Sequence, residues 1–183
     1  MDKYTELIEI GCTKEELEDL SRRAAKLGIS RTKYAGILLF PDRNMPKTYA
    51  FVDGSYNQNT NTYGFGGFLV HDGEKEILQG SGNDSEMAVM RNVAGEILGS
   101  TVAIKKALEL GLEEITIYYD YAGIEMWATG KWKRNKKYTI EYHDFVNAVK
   151  DSIAIRFVKV KGHSGIEGNE VADKLAKESV GLK

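Results

Sequence analysis

The stretch VKGHSGIEGNEVADKLA, residues 160–176, decides the fold of this chain. A β-rich run ends at Val160, and a glycine-flanked loop that carries His163 follows it. The residues from Gly168 onward have helical spacing, which places Asn169 and Asp173, four positions apart, on one helix face. Strand ends and helix starts meet at one edge of an α/β sheet, so this stretch predicts part of a site at that edge.

The rest of the main domain continues the same pattern. Hydrophobic periodicity predicts strands at 48–52, 63–70, 76–80, 115–119 and 155–160, and helices at 92–110, 122–129, 141–150 and 168–180. Asp72 and Gly73 form a hairpin turn, and the glycines within 64–67 predict close strand packing or a bulge. Three strands followed by helix and strand units predict an α/β fold with a five-stranded mixed β-sheet flanked by helices.

Four acidic residues stand where strand ends and helix starts converge. They are Asp53 at the end of the first strand, Glu96 in the first turns of the long helix, Asp120 at the end of the fourth strand and Asp173 early in the last helix. Taken singly, an Asp before Gly is an ordinary turn residue and a helical Glu is ordinarily solvated. Four carboxylates held together repel one another unless cations neutralise them. Mg²⁺ suits such oxygen ligands, and two ions about 4 Å apart promote phosphodiester hydrolysis.

Four segments occur in a recognisable order: YAFVDGS at 49–55, NVAGE at 92–96, IYYD at 117–120 and the stretch at 160–176. In order and spacing they resemble the type 1 ribonuclease H family, and the resemblance covers residues 47–183. It implies a ribonuclease H-like fold and an endoribonuclease that hydrolyses the RNA strand of RNA–DNA hybrids. It further implies two-metal-ion catalysis with Mg²⁺, for which Mn²⁺ substitutes, and products with 3′-hydroxyl and 5′-phosphate ends.

The resemblance also assigns roles to individual residues. It implies that Asp53, Glu96, Asp120 and Asp173 bind the metal ions, and that His163 assists proton transfer or product release. An imidazole that titrates near neutral pH suits a proton shuttle. Without the surrounding motif, His163 would be an ordinary surface or turn histidine.

Substrate recognition depends on polar groups near the acids, because RNA is distinguished from DNA largely by contacts to its 2′-hydroxyls. The candidates for these contacts are Gly54, Ser55, Asn57, Asn92 and Asn169. Asn92 matches a substrate-contacting asparagine of the family, whereas Val93 stands where the family often has a second Asn or Gln. Arg91 stands where many members have a threonine that contacts a DNA phosphate, and an arginine would hold that phosphate differently.

The segment KWKRNKKY, residues 131–138, carries five positive charges in seven residues. It fits either a solvated surface loop or a phosphate-binding ridge with aromatic packing. It lies where long-handled members of the resembled family carry a basic protrusion, although it is shorter. We expect this basic segment and its flanking tryptophan to contact the DNA strand through Trp127, Lys131, Trp132, Lys133, Arg134, Lys136 and Lys137.

Residues 1–40 form an accessory segment, joined to the main domain at 47–183 by a linker at 41–46 that contains both prolines. A capping-box pattern at Thr13–Glu16 predicts a first helix, and Ser30 is the expected cap of a second. A loosely alternating run at 5–10 suggests a strand. This order resembles the ribbon-helix-helix arrangement, which dimerises through paired strands. A helical appendage packed on the nuclease, or an exposed tail, fits equally well.

The composition sets limits on the class of protein. The chain has 183 residues and a formal net charge of −2. The single cysteine, Cys12, has no internal disulfide partner, so a cytoplasmic location is expected. The apolar run at 35–40 is too short to span a bilayer, so no membrane partner is expected. The net charge alone disfavours a nucleic-acid binder, but it averages the acidic cluster with the basic segment.

Two other functions are compatible with the fold. One is a nuclease of the same fold that acts on another substrate, and the other is a non-catalytic nucleic-acid-binding module. The presence of all four acids argues against the binding module, and His163 with Asp173 favours the hybrid-specific enzyme. We expect the main domain to be monomeric, with dimerisation possible only through residues 1–40.

Overall fold

Residues 11–26, 30–39, 46–162 and 166–182 are described by the structure, a computed structural model. The helices are α1 (Lys14–Lys26), α2 (Arg31–Leu39), α3 (Ser85–Ala88), α4 (Asn92–Glu109), α5 (Gly123–Ala128), α6 (Lys137–Val149) and α7 (Glu167–Ser179). The strands are β1 (Tyr49–Asn57), β2 (Thr62–His71), β3 (Glu74–Gly82), β4 (Glu114–Tyr119) and β5 (Ala154–Lys159). None of the helices in these ranges is long and apolar enough to cross a membrane. The chain divides into two compact units, residues 1–45 and 46–183.

The first unit contains the helices α1 and α2, which pack against each other. The predicted capping box is confirmed: Glu16 N donates to Thr13 Oγ1 at 3.2 Å, and Thr13 N donates to Glu16 Oε2 at 2.8 Å. These reciprocal bonds satisfy two backbone donors that the first helical turn leaves free. The strand suggested at 5–10 and the linker residues 41–45 lie outside the described residues.

The second unit is built on a five-stranded sheet with the order β3-β2-β1-β4-β5. β1, β2 and β3 pair antiparallel, whereas β1, β4 and β5 pair parallel, which confirms the predicted mixed sheet. Phe51 of β1 is in register with Tyr118 of β4. Two residues further along each strand, the same register brings Asp53 and Asp120 to the same level of the sheet.

The two faces of the sheet are covered by different helices. α4 packs on β1 and β2 from one side, and α7 packs on the same strands from the other. Side chains alternate between the faces, so Val52 and Gly54 face α4 whereas Phe51 faces α7. The main apolar core lies between α4 and the sheet and includes Ala50, Val52, Ile97, Ile104 and Ile117. The arrangement places the N-terminal turns of α4 beside the middle of β1.

Three local details differ from the sequence-based expectation. β1 does not end at Asp53 but continues to Asn57, because residues 54–57 still pair with β2. The pairing of β1 with β2 shows no bulge in the glycine-rich part of β2. α6 begins at Lys137 instead of residue 141. At this end Thr139 Oγ1 donates to Lys136 O at 2.7 Å, and the Tyr138 hydroxyl donates to Asp84 Oδ1 at 2.6 Å.

Candidate active site

Three of the predicted acids come together at the edge of the sheet. One carboxylate oxygen from each of Asp53, Glu96 and Asp120 lies within 4.8 Å of the others. Asp53 is supplied by the middle of β1, Glu96 by the second turn of α4, and Asp120 by the residue that follows β4. Parallel pairing of β1 with β4 and close packing of α4 on β1 therefore create the cluster.

Burial and mutual repulsion change the acidity of this cluster. Glu96 is only 2% exposed, and its burial, followed by the charges of Asp53 and Asp120, raises its pKa well above the ordinary value. Burial and the charge of Asp120 raise the pKa of Asp53 to about 6. The bond from Gly54 N to Asp53 Oδ1, 2.7 Å long, opposes that rise. Negative charge is thus costly here unless a cation accompanies it.

The donor set fits a divalent cation. All three groups offer oxygen ligands, which Mg²⁺ prefers. Glu96 Oε2 is buried and makes no hydrogen bond within the described residues. A buried carboxylate oxygen without a partner is unfavourable in a metal-free protein, and a cation would satisfy it. Asp53, Glu96 and Asp120 are therefore the residues that would hold a metal ion.

Asp173 lies near this cluster but not within it. It is in the middle of α7, and its charge contributes to the raised pKa of Asp53. Its oxygens are not part of the group within 4.8 Å. Asp173 Oδ2 instead accepts a bond of 2.7 Å from Lys177 Nζ, one helical turn away. The fourth acid thus lies near the cluster and already has a lysine bound to it.

The loop that follows β5 passes close to the cluster. A methyl group on Gly162 would lie 2.6 Å from Asp120 Oδ2, so a larger residue here would displace that carboxylate. His163 lies outside the described residues, and its predicted role stays a prediction.

The raised pKa of Asp53 predicts a pH-dependent affinity for metal. A carboxyl group must lose its proton to ligate, so the ionisation of Asp53 should lower the half-saturating Mg²⁺ concentration about fivefold from pH 5 to 6 and about tenfold from pH 5 to 7, and its contribution should level off above 7. In EDTA, without metal, the stability of the fold should instead fall with rising pH. The folded state holds the proton of Asp53 more tightly than the unfolded chain does, so the stability contributed by this group is lost as the pH rises through 6. Thermal unfolding with and without Mg²⁺ from pH 5 to 8 measures both effects. A Mg²⁺ requirement that did not change over this range would contradict the assignment.

The predicted substrate contacts have different environments. Asn57 is buried; its Nδ2 donates to Val180 O at 2.8 Å and its Oδ1 accepts from Asn59 N at 3.0 Å. Both polar ends thus join β1 to the end of α7 and to its own turn, so Asn57 has structural hydrogen bonds, and its predicted substrate contact stays a prediction. Asn169 and Ser55 are also buried, whereas Arg91 and Asn92 are exposed at the start of α4. Arg91 has a φ of +54°, which a non-glycine residue rarely adopts.

A groove of about 350 Å³ lies between the start of α4 and the basic segment 131–138. Its lining residues are Val89, Met90, Val93, Tyr121, Trp127, Lys133, Asn135, Lys136 and Thr139. The rings of Trp127 and Trp132 meet edge to face at 5.9 Å, and Tyr121 lies 5.7 Å from Trp127. An aromatic and cationic lining of this kind suits a nucleic-acid strand.

The five cations of the basic segment are not equivalent. Lys131 Nζ pairs with Glu125 at 2.9 Å, Lys137 Nζ approaches Glu86 at 3.7 Å, and Arg134 donates to the carbonyl of Trp132 at 3.1 Å. Lys133 and Lys136 line the groove. The groove therefore depends on two lysines and not on the whole basic segment.

Several groove residues were not predicted from the sequence. Val89 is 70% exposed despite its apolar side chain, and Tyr121 and Asn135 also line the groove. Asn135 lies inside the basic segment, so its position was a usable signal. Val89 carried no signal, because nothing in its local sequence distinguishes it from a core residue.

Fold and site together define this chain as a metal-dependent hydrolase built on a mixed five-stranded sheet. Residues 45–180 match the RNase H family model, and the chain belongs to the ribonuclease H family. It is similar to the ribonuclease H of Acetivibrio thermocellus, with 25% identity over 74% of this chain and 96% of that protein. It is also similar to the ribonuclease H of Buchnera aphidicola, with 31% identity over 70% of this chain and 83% of that protein.

Solved structures share the fold. RNase H1 from Halobacterium salinarum aligns with a TM-score of 0.57 and 22% identity, over 73% of this chain and 97% of that one. LC11-RNase H1, isolated from compost by a metagenomic approach and solved in complex with an RNA/DNA hybrid, aligns with a TM-score of 0.56 and 14% identity, over 73% of this chain and 99% of that one.

Proposed function

We propose that this chain hydrolyses the RNA strand of RNA–DNA hybrids with two Mg²⁺ ions and leaves 3′-hydroxyl and 5′-phosphate ends. The observation that carries the proposal is the meeting of three carboxylates, from Asp53, Glu96 and Asp120, within 4.8 Å. The family supports the hybrid as substrate. A relative of the same fold was solved with an RNA/DNA hybrid, which agrees with that choice.

The carboxylates have distinct tasks in this proposal. When bound, the ions supply an activated water and stabilise the leaving oxygen. Asp53 and Asp120, at one level of adjacent strands, hold the first ligand positions rigidly. Glu96 contributes a buried oxygen with no competing hydrogen bond among the described residues. Asp173 supplies a fourth, partly exposed carboxylate, and His163 moves a proton at the leaving group or assists product release.

Substrate handling is divided between two surfaces in the proposal. The exposed Arg91 and Asn92, beside the cluster, contact the hybrid backbone and the RNA 2′-hydroxyls together with the backbone of Gly54. The groove beside Trp127 receives the DNA strand, with Lys133 and Lys136 on its phosphates. The groove and the carboxylates therefore act on different strands of one duplex.

The substrate assignment is tested by one side-by-side assay. RNA–DNA hybrid, double-stranded RNA and double-stranded DNA of the same sequence are incubated with Mg²⁺, Mn²⁺ or EDTA, and the product ends are mapped. We expect cleavage of the hybrid alone, in its RNA strand, with either metal and not with EDTA. Cleavage of another duplex would identify a nuclease of different substrate, and binding without any cleavage would identify a non-catalytic module.

Replacing both groove lysines, Lys133 and Lys136, with alanine is expected to raise KM for the hybrid about tenfold with kcat nearly unchanged. Each phosphate contact contributes about 0.9 to the slope of log affinity against log salt, so the slope should fall by roughly 2. The measurement is KM for a labelled hybrid between 50 and 200 mM salt.

The matched control replaces Lys105 and Lys150, which are exposed and outside the groove lining. This control removes the same net charge, so any general charge effect appears in both variants. Equal salt slopes in the two double variants would remove the groove from the proposal.

The proposal also covers the two parts of the chain and its location. Residues 47–183 act as the catalytic domain, and residues 1–40 as an accessory segment that dimerises if it is a ribbon-helix-helix. The exposed free Cys12 agrees with a cytoplasmic location. A mass of one chain in sedimentation equilibrium would remove the dimer, and loss of cleavage on deleting residues 1–40 would contradict an accessory role.

A further inference from the structure

The ion pair between Lys177 and Asp173 is shorter and less exposed than the pair between Lys174 and Glu178 on the same helix. Lys177 Nζ lies 2.7 Å from Asp173 Oδ2, and the two side chains are 40% and 27% exposed. Lys174 and Glu178 have the same spacing on α7, but they are 3.8 Å apart and 77% and 48% exposed. Exposed helical pairs of this spacing contribute little to stability, so stability alone does not explain the shorter pair.

The acid in this pair belongs to the proposed metal site. Asp173 is close enough to Asp53 for its charge to make ionisation of Asp53 harder. A cation bound to Asp173 therefore reduces the negative charge that a divalent ion would meet at the site. The same ammonium occupies one of the two oxygens of Asp173 and leaves Oδ1 without that contact.

We propose that Lys177 is a positioning residue for Asp173: it holds this carboxylate in the metal-free enzyme and competes with the divalent cation for it. The inference rests on the proposed function, because it assumes that Asp173 takes part in metal binding. Lys177 thus stabilises the acid on α7 before metal arrives and raises the metal concentration needed to fill the site. The arrangement is an exchange of cations, in which the ammonium gives up Oδ2 as the ion binds.

The test replaces Lys177 with methionine, which keeps the chain length and removes the charge. Mn²⁺ is titrated into the full chain without substrate, and free Mn²⁺ is followed by electron paramagnetic resonance. We expect Lys177→Met to tighten Mn²⁺ binding about fivefold, as expected for removal of one positive charge a few ångströms from a divalent ion in a screened, partly exposed site. Half-maximal cleavage should move to a correspondingly lower Mg²⁺ concentration.

Two controls separate competition from a general charge effect. Lys174→Met removes the same charge from the same helix and should leave Mn²⁺ affinity within twofold of the parent. In an Asp173→Asn background, Lys177→Met should have no effect on Mn²⁺ affinity, because the pair acts only through that carboxylate. Thermal unfolding checks that all variants are folded.

The outcomes are distinct. The exchange is supported if Lys177→Met binds Mn²⁺ more tightly than the parent, Lys174→Met does not, and Lys177→Met has no effect in the Asp173→Asn background. Unchanged or weaker binding in Lys177→Met, while the parent binds Mn²⁺ through Asp53, overturns it and leaves the proposed function intact. If the Asp53→Asn variant binds Mn²⁺ as tightly as the parent does, the assignment of the metal site is wrong, and the proposed function fails with it.

Discussion

Replacing Asp120 with asparagine is expected to lower kcat for hybrid cleavage by about 1000-fold, equivalent to about 4 kcal/mol of transition-state stabilisation. The amide has nearly the volume of the carboxyl group but no charge, so it is a poor ligand for a hard divalent cation. Because Asp120 also raises the pKa of Asp53, its neutralisation should let Asp53 ionise at lower pH. Affinity for the hybrid should change little, because the groove is elsewhere.

The matched control is Asp144→Asn on α6, where the side chain is exposed and far along the helix from the groove. It makes the same chemical change and should leave kcat within twofold of the parent. Single-turnover cleavage and filter binding of the same labelled hybrid separate chemistry from binding. If Asp120→Asn cut within tenfold of the parental rate in Mg²⁺, this carboxylate would not be a metal ligand.

The meeting of Asp53 with Asp120 could be predicted from sequence because it depends on a regular feature. Each acid follows an apolar β-rich run, and the ends of parallel strands meet at one edge of a sheet. The prediction was right about the edge although β1 continues past Asp53. An exact end for β1 was not required for this prediction, because the parallel register of β1 with β4 is what sets the two acids side by side.

The details that the sequence did not predict depend on contacts between distant residues. The first turn of α6 is tied by a bond between Tyr138 and Asp84, 54 residues apart. The buried role of Asn57 follows from its bond to Val180, 123 residues away. A local pattern contains neither partner, so propensity alone could predict neither bond. The division of the basic segment depends on both kinds of contact: Lys137 approaches the distant Glu86, whereas Lys131 pairs with Glu125 only six residues away.

The position of Glu96 depends on glycines whose packing partners the local sequence pattern does not show. A methyl group at Gly54 would overlap Asn92 O and lie 2.5 Å from Glu96 N. Gly95, on the facing side of α4, has the carbonyl of Gly64 against it. Gly54 of β1 and Gly95 of α4 therefore let the helix approach the sheet closely. The expected close packing of strands at 64–67 occurs at Gly67, which lies against Phe51 O of β1, whereas Gly64 and Gly66 allow close packing of α7 and the residue that follows it on β2.

Substituting Gly95 with alanine is expected to destabilise residues 46–183 by about 3 kcal/mol and lower their Tm by roughly 10 °C. The added methyl group would overlap Gly64 O and lie 2.9 Å from the Cα of Gly54. Backbone atoms on both sides cannot rotate away, so α4 must move off the sheet. Alanine favours a helix by about 1 kcal/mol over glycine, and the steric cost must exceed that gain. Because Glu96 is the next residue, kcat should also fall about tenfold or more.

Gly36→Ala is the matched control, since Gly36 is also within a helix and a methyl group there meets nothing within 4 Å. The same substitution should therefore leave α2 unchanged or stabilise it by up to about 1 kcal/mol. Thermal unfolding and hybrid cleavage are measured for both variants, to test whether Gly95→Ala destabilises the protein and Gly36→Ala does not. A Gly95→Ala variant as stable and as active as the parent would show that α4 has room to move. In that case the close approach of Gly54, Gly64 and Gly95 would not be what holds Glu96 at the metal site.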